Sequence, residues 1–178
     1  MKKQKGFSLI ELLIVVAIIL IIAAIAIPNL LRSKIAANES SAVGSVRTIG
    51  TAEVTYSSSW GSGFAVDLTS LGGAAPCTTA KAGAACLIDP LLSTGAFTKS
   101  GYVFNAAGTK PDATGTVLNG FEVNATATSY QTTGVRSFCD DQTGVLKFSV
   151  NGGIAIGVAA DTCATLATVA GVSGPVGN

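Results

Sequence analysis

Residues 5–16 read KGFSLIELLIVV, and the apolar run that they begin decides the fold. The twenty residues from Leu12 to Leu31 carry no charge. At about 1.5 Å rise per residue, a helix of this length matches the ~30 Å hydrocarbon core of a membrane. Lys2, Lys3 and Lys5 precede the run, and positive charge at that place keeps this end of the chain cytoplasmic. The sequence therefore predicts one membrane-spanning helix, with the rest of the chain on the far side.

Glu11 is a carboxylate inside this apolar segment. An acid at the centre of a membrane helix costs about 2.5 to 3.5 kcal/mol, whereas each Leu, Ile, Val or Phe contributes roughly −0.3 to −0.6 kcal/mol. The many apolar residues outweigh one acid, so insertion tolerates Glu11 without explaining it. Physics alone leaves open a carboxylate that reaches the lipid headgroups or that is protonated.

The segment does not follow the usual order of a secretory signal. Such a signal has its apolar region first and a cleavage site of small residues after it. Ala23, Ala24 and Ala26 could form such a site, although Pro28 follows closely. Removal of the whole segment therefore stays an alternative.

Residues 5–16 resemble the leader junction of the type IV pilin family, which includes the pseudopilins of type II secretion. They combine a short basic leader, a Gly-Phe junction at Gly6 and Phe7, a glutamate four residues after Phe7 and a long apolar run. The resemblance implies that a prepilin peptidase cuts after Gly6 and N-methylates the new terminus at Phe7. It also implies that Glu11 pairs with the amine of Phe7, on its own or a neighbouring subunit, during assembly.

The resemblance further implies what such a chain does. It would be a structural subunit of a type IV pilus that forms a homopolymer with other pilin subunits. Its other partners would be the prepilin peptidase, the inner-membrane pilus assembly machinery and the membrane itself before assembly. The precursor would lie in the bacterial inner membrane and the product in an extracellular pilus, or fimbrium, that serves adhesion, motility or DNA uptake. The alternative is a pseudopilin of a type II secretion system.

Pro28 lies inside the predicted helix, near the outer edge of the span. Its ring removes one backbone donor and should kink or loosen the helix. Family members similarly carry a proline here, so we expect a hinge that lets the helix fit a filament core. The alternative is a proline that is merely tolerated near the membrane exit.

An apolar stripe continues at helical spacing through Leu31, Ile35, Ala42, Val46 and Ile49. The charged residues Arg32, Lys34, Glu39 and Arg47 lie off this stripe. The pattern predicts a half-buried helix that ends near Ser57 to Ser59. The predicted organisation is a leader at residues 1–6, a transmembrane or filament-core segment at 7–31, an amphipathic continuation at 32–59, a disulfide-braced globular β-region at 60–170 and a flexible tail at 171–178.

Short strand signals follow the helix. They are residues 102–104, the alternating residues 121–127, the segments 135–139 and 145–150 that flank a hairpin turn at 140–144, and an edge strand at Ile154, Ile156 and Val158. The pattern predicts an α+β fold in which a long N-terminal helix packs against a small antiparallel sheet of three to five strands, as in pilins.

The four cysteines are Cys77, Cys86, Cys139 and Cys163. An even count beyond the membrane segment is typical of an oxidising compartment. Four cysteines allow three pairings, of which Cys77 with Cys86 and Cys139 with Cys163 would close two short local loops. Free buried thiols remain an alternative, and so does a zinc site.

The sequence offers few signs of a catalytic or ligand-binding site. Lys and Arg number 11 against 10 Asp and Glu, so charge does not attract the chain to nucleic acid. There is no histidine, no phosphate-binding loop and no nucleophile constellation, so we expect neither an enzyme nor a cofactor or metal site. Asp140 and Asp141 could bind Ca²⁺, but paired acids in a turn are more often solvated. Asn124 begins an N-glycosylation acceptor, which is a weak signal.

Overall fold

The computed structural model describes residues 7–152 and 156–177. Its internal contacts divide the chain into two units, Met1–Lys34 and Ile35–Asn178. A single helix, α1 (Leu9–Trp60), belongs to both units. The expected leader at 1–6 and Ile154 of the expected edge strand lie outside the described residues.

The part of α1 beyond Ile35 is helical as the apolar spacing predicts, and it ends at Trp60. Ala42, Val46 and Ile49 of the predicted stripe are fully buried. These residues belong to one apolar cluster with aromatic side chains of the sheet, including Tyr102, Phe104, Phe121 and Phe138. The stripe is therefore the surface that joins this part of α1 to the core of its unit.

Two short helices and six strands follow α1. They are α2 (Leu68–Leu71), α3 (Pro90–Ser93), β1 (Thr98–Lys99), β2 (Tyr102–Pro111), β3 (Leu118–Ala127), β4 (Ser137–Asp141), β5 (Lys147–Ser149) and β6 (Ser173–Pro175). The strands form one antiparallel sheet in chain order, from β1 at one edge to β6 at the other. The predicted α+β class is confirmed, with one strand more than the expected maximum of five.

The predicted turn at 140–144 begins too early. Asp140 and Asp141 continue β4 and pair with Val123 and Glu122 of β3. The chain reverses only after them, and Gly144 has the positive φ of +71° expected of a left-handed turn residue. Both acids are consequently buried in the sheet rather than solvated.

The expected flexible tail contains β6, which pairs with β5. Val150 donates to the carbonyl of Val172 at 2.7 Å, and Val176 donates to the carbonyl of Leu146 at 2.9 Å. The residues of β6 are small and show no alternation of apolar and polar side chains. Backbone pairing with β5, rather than the burial of large side chains, therefore stabilises this strand. Ile156 and Val158 of the expected edge strand lie in no strand.

β3 is buried on both faces, which its alternating sequence does not predict. Apolar Phe121, Val123 and Ala125 lie in the main core, while polar Glu122 and Asn124 are buried on the opposite face. On that face the backbone N–H of Cys163 donates to Glu122 Oε2 at 3.0 Å, and the Asn124 side chain donates to the carbonyl of Ile156. The C-terminal segment thus covers the sheet, and the acceptor sequence at Asn124 is not accessible.

Disulfides join Cys77 to Cys86 and Cys139 to Cys163, with Cα–Cα distances of 5.6 and 5.8 Å. Cys139 and Cys163 are fully buried and form a second small apolar cluster with Ile156. This bond ties β4 to the segment that covers the polar face of β3. It is the pairing of short local loops that the spacing favours.

Candidate membrane and assembly segment

The first part of α1 exposes an apolar surface all around the helix. Among the described residues, α1 is the one helix that is long and apolar enough to cross a membrane, and its most apolar stretch of 18 residues has no buried residue. Monomeric soluble proteins rarely expose contiguous apolar patches larger than a few hundred Å². A helix that is hydrophobic on every side needs lipid or other protein around it.

Glu11 has an identifiable role at the start of this helix. The helix begins at Leu9, so Ser8 is the N-cap residue and Glu11 occupies the third helical position. The backbone N–H of Ser8 donates to Glu11 Oε2 at 2.9 Å, and Leu12 donates to the carbonyl of Ser8 at 3.2 Å. This is the glutamate half of a capping box, with a negative charge at the positive end of the helix dipole. The Ser-x-x-Glu spacing of Ser8 and Glu11 is typical of this cap, but the cap is not among the roles expected for Glu11 from sequence.

The residues of the expected cleavage junction lie next to this cap. Phe7 precedes the helix and is 84% exposed. Gly6 lies outside the described residues. Because Ser8 follows Phe7 directly, an amine created at Phe7 would be one residue away from the N–H group that Glu11 accepts. The Glu11 carboxylate thus contacts the backbone of the residue that follows Phe7.

Pro28 lies within α1, and the helical assignment is unbroken through it. Proline has no N–H, so the helix lacks one of its backbone hydrogen bonds at this point. Ser33, one turn further on, donates its hydroxyl to the carbonyl of Asn29 at 3.0 Å. The hinge predicted for Pro28 stays a prediction.

Two further glutamates of α1, Glu39 and Glu53, are buried, which the local sequence does not predict. Glu39 is 6% exposed and accepts hydrogen bonds from the backbone N–H groups of Val135 and Arg136 at 2.9 and 3.0 Å. Its other oxygen contacts the Arg136 guanidinium at 2.7 and 2.8 Å. Four contacts from one side chain fix this part of α1 to the chain just before β4.

Glu53 is fully buried, and one of its oxygens accepts a hydrogen bond from the backbone N–H of Ala65 at 2.8 Å. The other oxygen has no hydrogen-bond partner among the described residues. Burial raises the pKa of Glu53 from its ordinary 4.5 to about 8, against the lowering effect of the Ala65 hydrogen bond. Burial therefore favours the neutral form of Glu53.

The acids of β3 and β4 provide no convincing metal centre. Glu122, Asp141 and Cys163 lie within 4.8 Å of one another through their ligand atoms. Cys163 is bonded to Cys139, however, and cannot act as a thiolate ligand. Burial raises the pKa of Glu122, whose Oε2 is held by the Cys163 N–H. These three residues instead help to pack the C-terminal segment against the sheet, through the hydrogen bond between Cys163 and Glu122.

Comparison with known proteins finds similarity in the N-terminal segment. A family model described as the prokaryotic N-terminal methylation motif matches residues 1–27. The chain is also 62% identical over 39 residues to the type IV wide pilus major component PilA4 of Thermus thermophilus. That match covers 22% of this chain and 30% of the relative. No solved structure matches the chain significantly.

The matched motif, the exposed apolar helix and the capped Glu11 all concern the same stretch of sequence. The α+β architecture behind it has the long helix and antiparallel sheet that the resemblance implies. The N-terminal segment of the chain is therefore similar to that of type IV pilins.

Proposed function

We propose that this chain is a structural subunit of a type IV pilus. The observation that carries the proposal is the apolar first part of α1, which is exposed on every side and begins with a matched N-terminal methylation motif. Such a surface can be covered by lipid in the precursor and by the helices of other subunits in a filament. The same segment would thus serve storage in the inner membrane and polymerisation into a surface fimbrium.

Processing would connect these two states. A prepilin peptidase would cut after Gly6 and methylate the amine of Phe7, which gives the segment a cation where none exists in the apolar run. In a low-dielectric environment a carboxylate is strongly attracted to a nearby cation. Glu11, which in the described chain accepts the Ser8 N–H, would then pair with the Phe7 amine of its own or a neighbouring subunit. Assembly would exchange a local cap for a charge pair.

The remainder of the chain would form the filament surface. The two disulfides and the covered β3 give this region its own core, independent of the apolar segment. No catalytic role is proposed for this region. Its surface would determine whether the filament serves adhesion, motility or DNA uptake.

Substitution of Glu11 tests the assembly step. We expect Glu11→Val to insert in the membrane and lose its leader normally but to form no filaments. Glu11→Gln is the informative companion, because its amide oxygen can still accept the Ser8 N–H while the charge is gone. We expect it to fail as Glu11→Val does, and Leu13→Val serves as a conservative control within the same segment.

The measurements are mass spectrometry of the processed N-terminus and electron microscopy of filaments on the cell surface. Normal filaments from Glu11→Gln would show that the cap suffices and that charge pairing is wrong. Deletion of the gene separates the pilus from the secretion pseudopilus. Loss of long surface filaments supports the pilus, whereas intact filaments with failed secretion of folded proteins would support the alternative.

A further inference from the structure

Two cations follow directly after the apolar part of α1. Arg32 and Lys34 are both exposed, and neither has a hydrogen bond or ion pair among the described residues. No acid stands three or four residues before or after either of them, so the helix offers them no partner on its own surface. Two unpartnered positive charges at this place need another explanation.

Their position along the helix matches a particular depth in a membrane. The uncharged residues Leu12 to Leu31 span about 30 Å, which is the thickness of the hydrocarbon core. Arg32 would then lie at the boundary of the hydrocarbon and Lys34 roughly 3 Å beyond it. Long basic side chains can bury their apolar stems and place the charge at the headgroup level.

Their direction distinguishes lipid from a protein partner. Residues two apart on an α-helix are separated by about 200°, so Arg32 and Lys34 leave the helix on opposite sides. A protein docked on one face of the helix would contact one of them and miss the other. A layer of headgroups surrounds the helix and can contact both.

We propose that Arg32 and Lys34 bind the headgroups of anionic phospholipids in the outer leaflet of the inner membrane. This inference rests on the proposed storage of the subunit in that membrane. The contacts would fix the depth of the stored helix and would have to break when the subunit leaves lipid for the filament. The cations would therefore favour retention, in contrast to Glu11, which favours assembly.

The test measures lipid selectivity of the full chain in phosphatidylcholine vesicles that contain spin-labelled phosphatidylglycerol or phosphatidylcholine. Lys2, Lys3 and Lys5 also attract anionic lipid, so all variants carry K2Q, K3Q and K5Q. In this background we expect a preference for phosphatidylglycerol of roughly five-fold per cation at low salt. The preference should disappear in R32Q/K34Q and weaken strongly in 1 M NaCl.

R47Q/K81Q is the matched control, because it also removes one arginine and one lysine that are exposed. We expect it to keep the lipid preference of the background chain. A preference that survives R32Q/K34Q, or that is absent from the start, would overturn the proposal. A filament yield changed by R32Q/K34Q without any change in lipid preference would assign these residues to a protein contact, which also overturns it.

Resistance to alkaline extraction from the vesicles separates this proposal from the proposed function. A chain that resists extraction but shows no preference for phosphatidylglycerol contradicts the headgroup contacts alone. A chain that is extracted from vesicles of every composition contradicts membrane storage, and the headgroup proposal fails with it.

Discussion

The two parts of α1, before and after Ile35, differ in which side chains they expose and which they bury. The first part exposes apolar residues on all sides and keeps its acid, Glu11, at the exposed end. The second part buries acids, since Glu39 and Glu53 are almost fully enclosed. Both parts break the rule that apolar groups lie inside and charges outside, but for different physical reasons.

The difference lies in what supplies the missing environment. In the first part the environment comes from outside the chain, because only lipid or other protein can cover a helix that is apolar all around. In the second part it comes from the chain itself, because backbone N–H groups and Arg136 satisfy the buried carboxylate of Glu39. A single helix therefore holds one segment that needs an environment from outside the chain and one that the chain itself encloses.

Removing the Glu39 carboxylate should have the largest effect on folding stability. We expect Glu39→Ala to lower the free energy of unfolding by about 3 kcal/mol, because it leaves two backbone donors and Arg136 without their partner. This value is at the lower end of the cost of removing one partner from a buried ion pair. The Arg136 side chain is 42% exposed, so water can solvate it after the substitution. Urea unfolding of the full chain in detergent measures the change.

Asp89→Ala is the control for Glu39→Ala. Asp89 caps α3 through the N–H of Leu91 and pairs with Lys99, both near the surface. Its loss should cost about 1 kcal/mol, from the cap and a weak surface pair. Equal effects of the two substitutions would contradict the view that buried acids brace the second part of α1.

The pH dependence of stability should isolate Glu53. Its pKa is raised to about 8 in the folded chain, against 4.5 in the unfolded chain. Below pH 4.5 Glu53 is protonated in both the folded and the unfolded chain, so its ionisation does not affect the free energy of unfolding. Between pH 4.5 and about 8 only the unfolded chain ionises, so folding stability falls as pH rises, by at most about 1.4 kcal/mol per pH unit. Above that range the cost is constant.

We expect Glu53→Gln to raise the free energy of unfolding at pH 7 by about 1 to 3 kcal/mol and to remove the slope between pH 6 and 8. Asp140 is a second acid with a raised pKa, to about 6 through burial, and it affects the slope only at lower pH. Asp140→Asn therefore serves as the control, because it should leave the slope of stability between pH 6 and 8 unchanged. An unchanged slope in Glu53→Gln would show that Glu53 is ionised in the folded chain.

The first part of α1 could be predicted from sequence because one property, continuous apolarity with a single acid, determines it. The second part could be predicted only as far as its stripe of Ala42, Val46 and Ile49. Sequence placed Glu39 on the solvent side, since the donors that bury it come from Val135 and Arg136, almost a hundred residues away. Contacts between residues so far apart in the chain leave no pattern in the sequence around either residue.

The sheet shows the same limit. The hairpin glycine, Gly144, was predictable because a left-handed turn favours that residue. The buried polar face of β3 was not, because the segment around Cys163 covers it only in the folded chain. β6 was missed because its pairing uses backbone groups of Ser173–Pro175 and needs no apolar side chains.

A pair of glycines offers the finest test of how tightly the second part of α1 packs. A methyl group added at Gly50 would meet the Asp140 carboxylate oxygen at 2.8 Å, whereas one added at Gly44 meets nothing within 4 Å. Alanine in a helix interior is favoured over glycine by about 1 kcal/mol. We therefore expect Gly44→Ala to stabilise the chain by up to about 1 kcal/mol, and Gly50→Ala to destabilise it by a similar amount because Asp140 must shift within a buried site. Thermal unfolding of both variants measures the difference, and equal stabilisation by both would mean that Asp140 moves freely and that α1 is not held closely at this point.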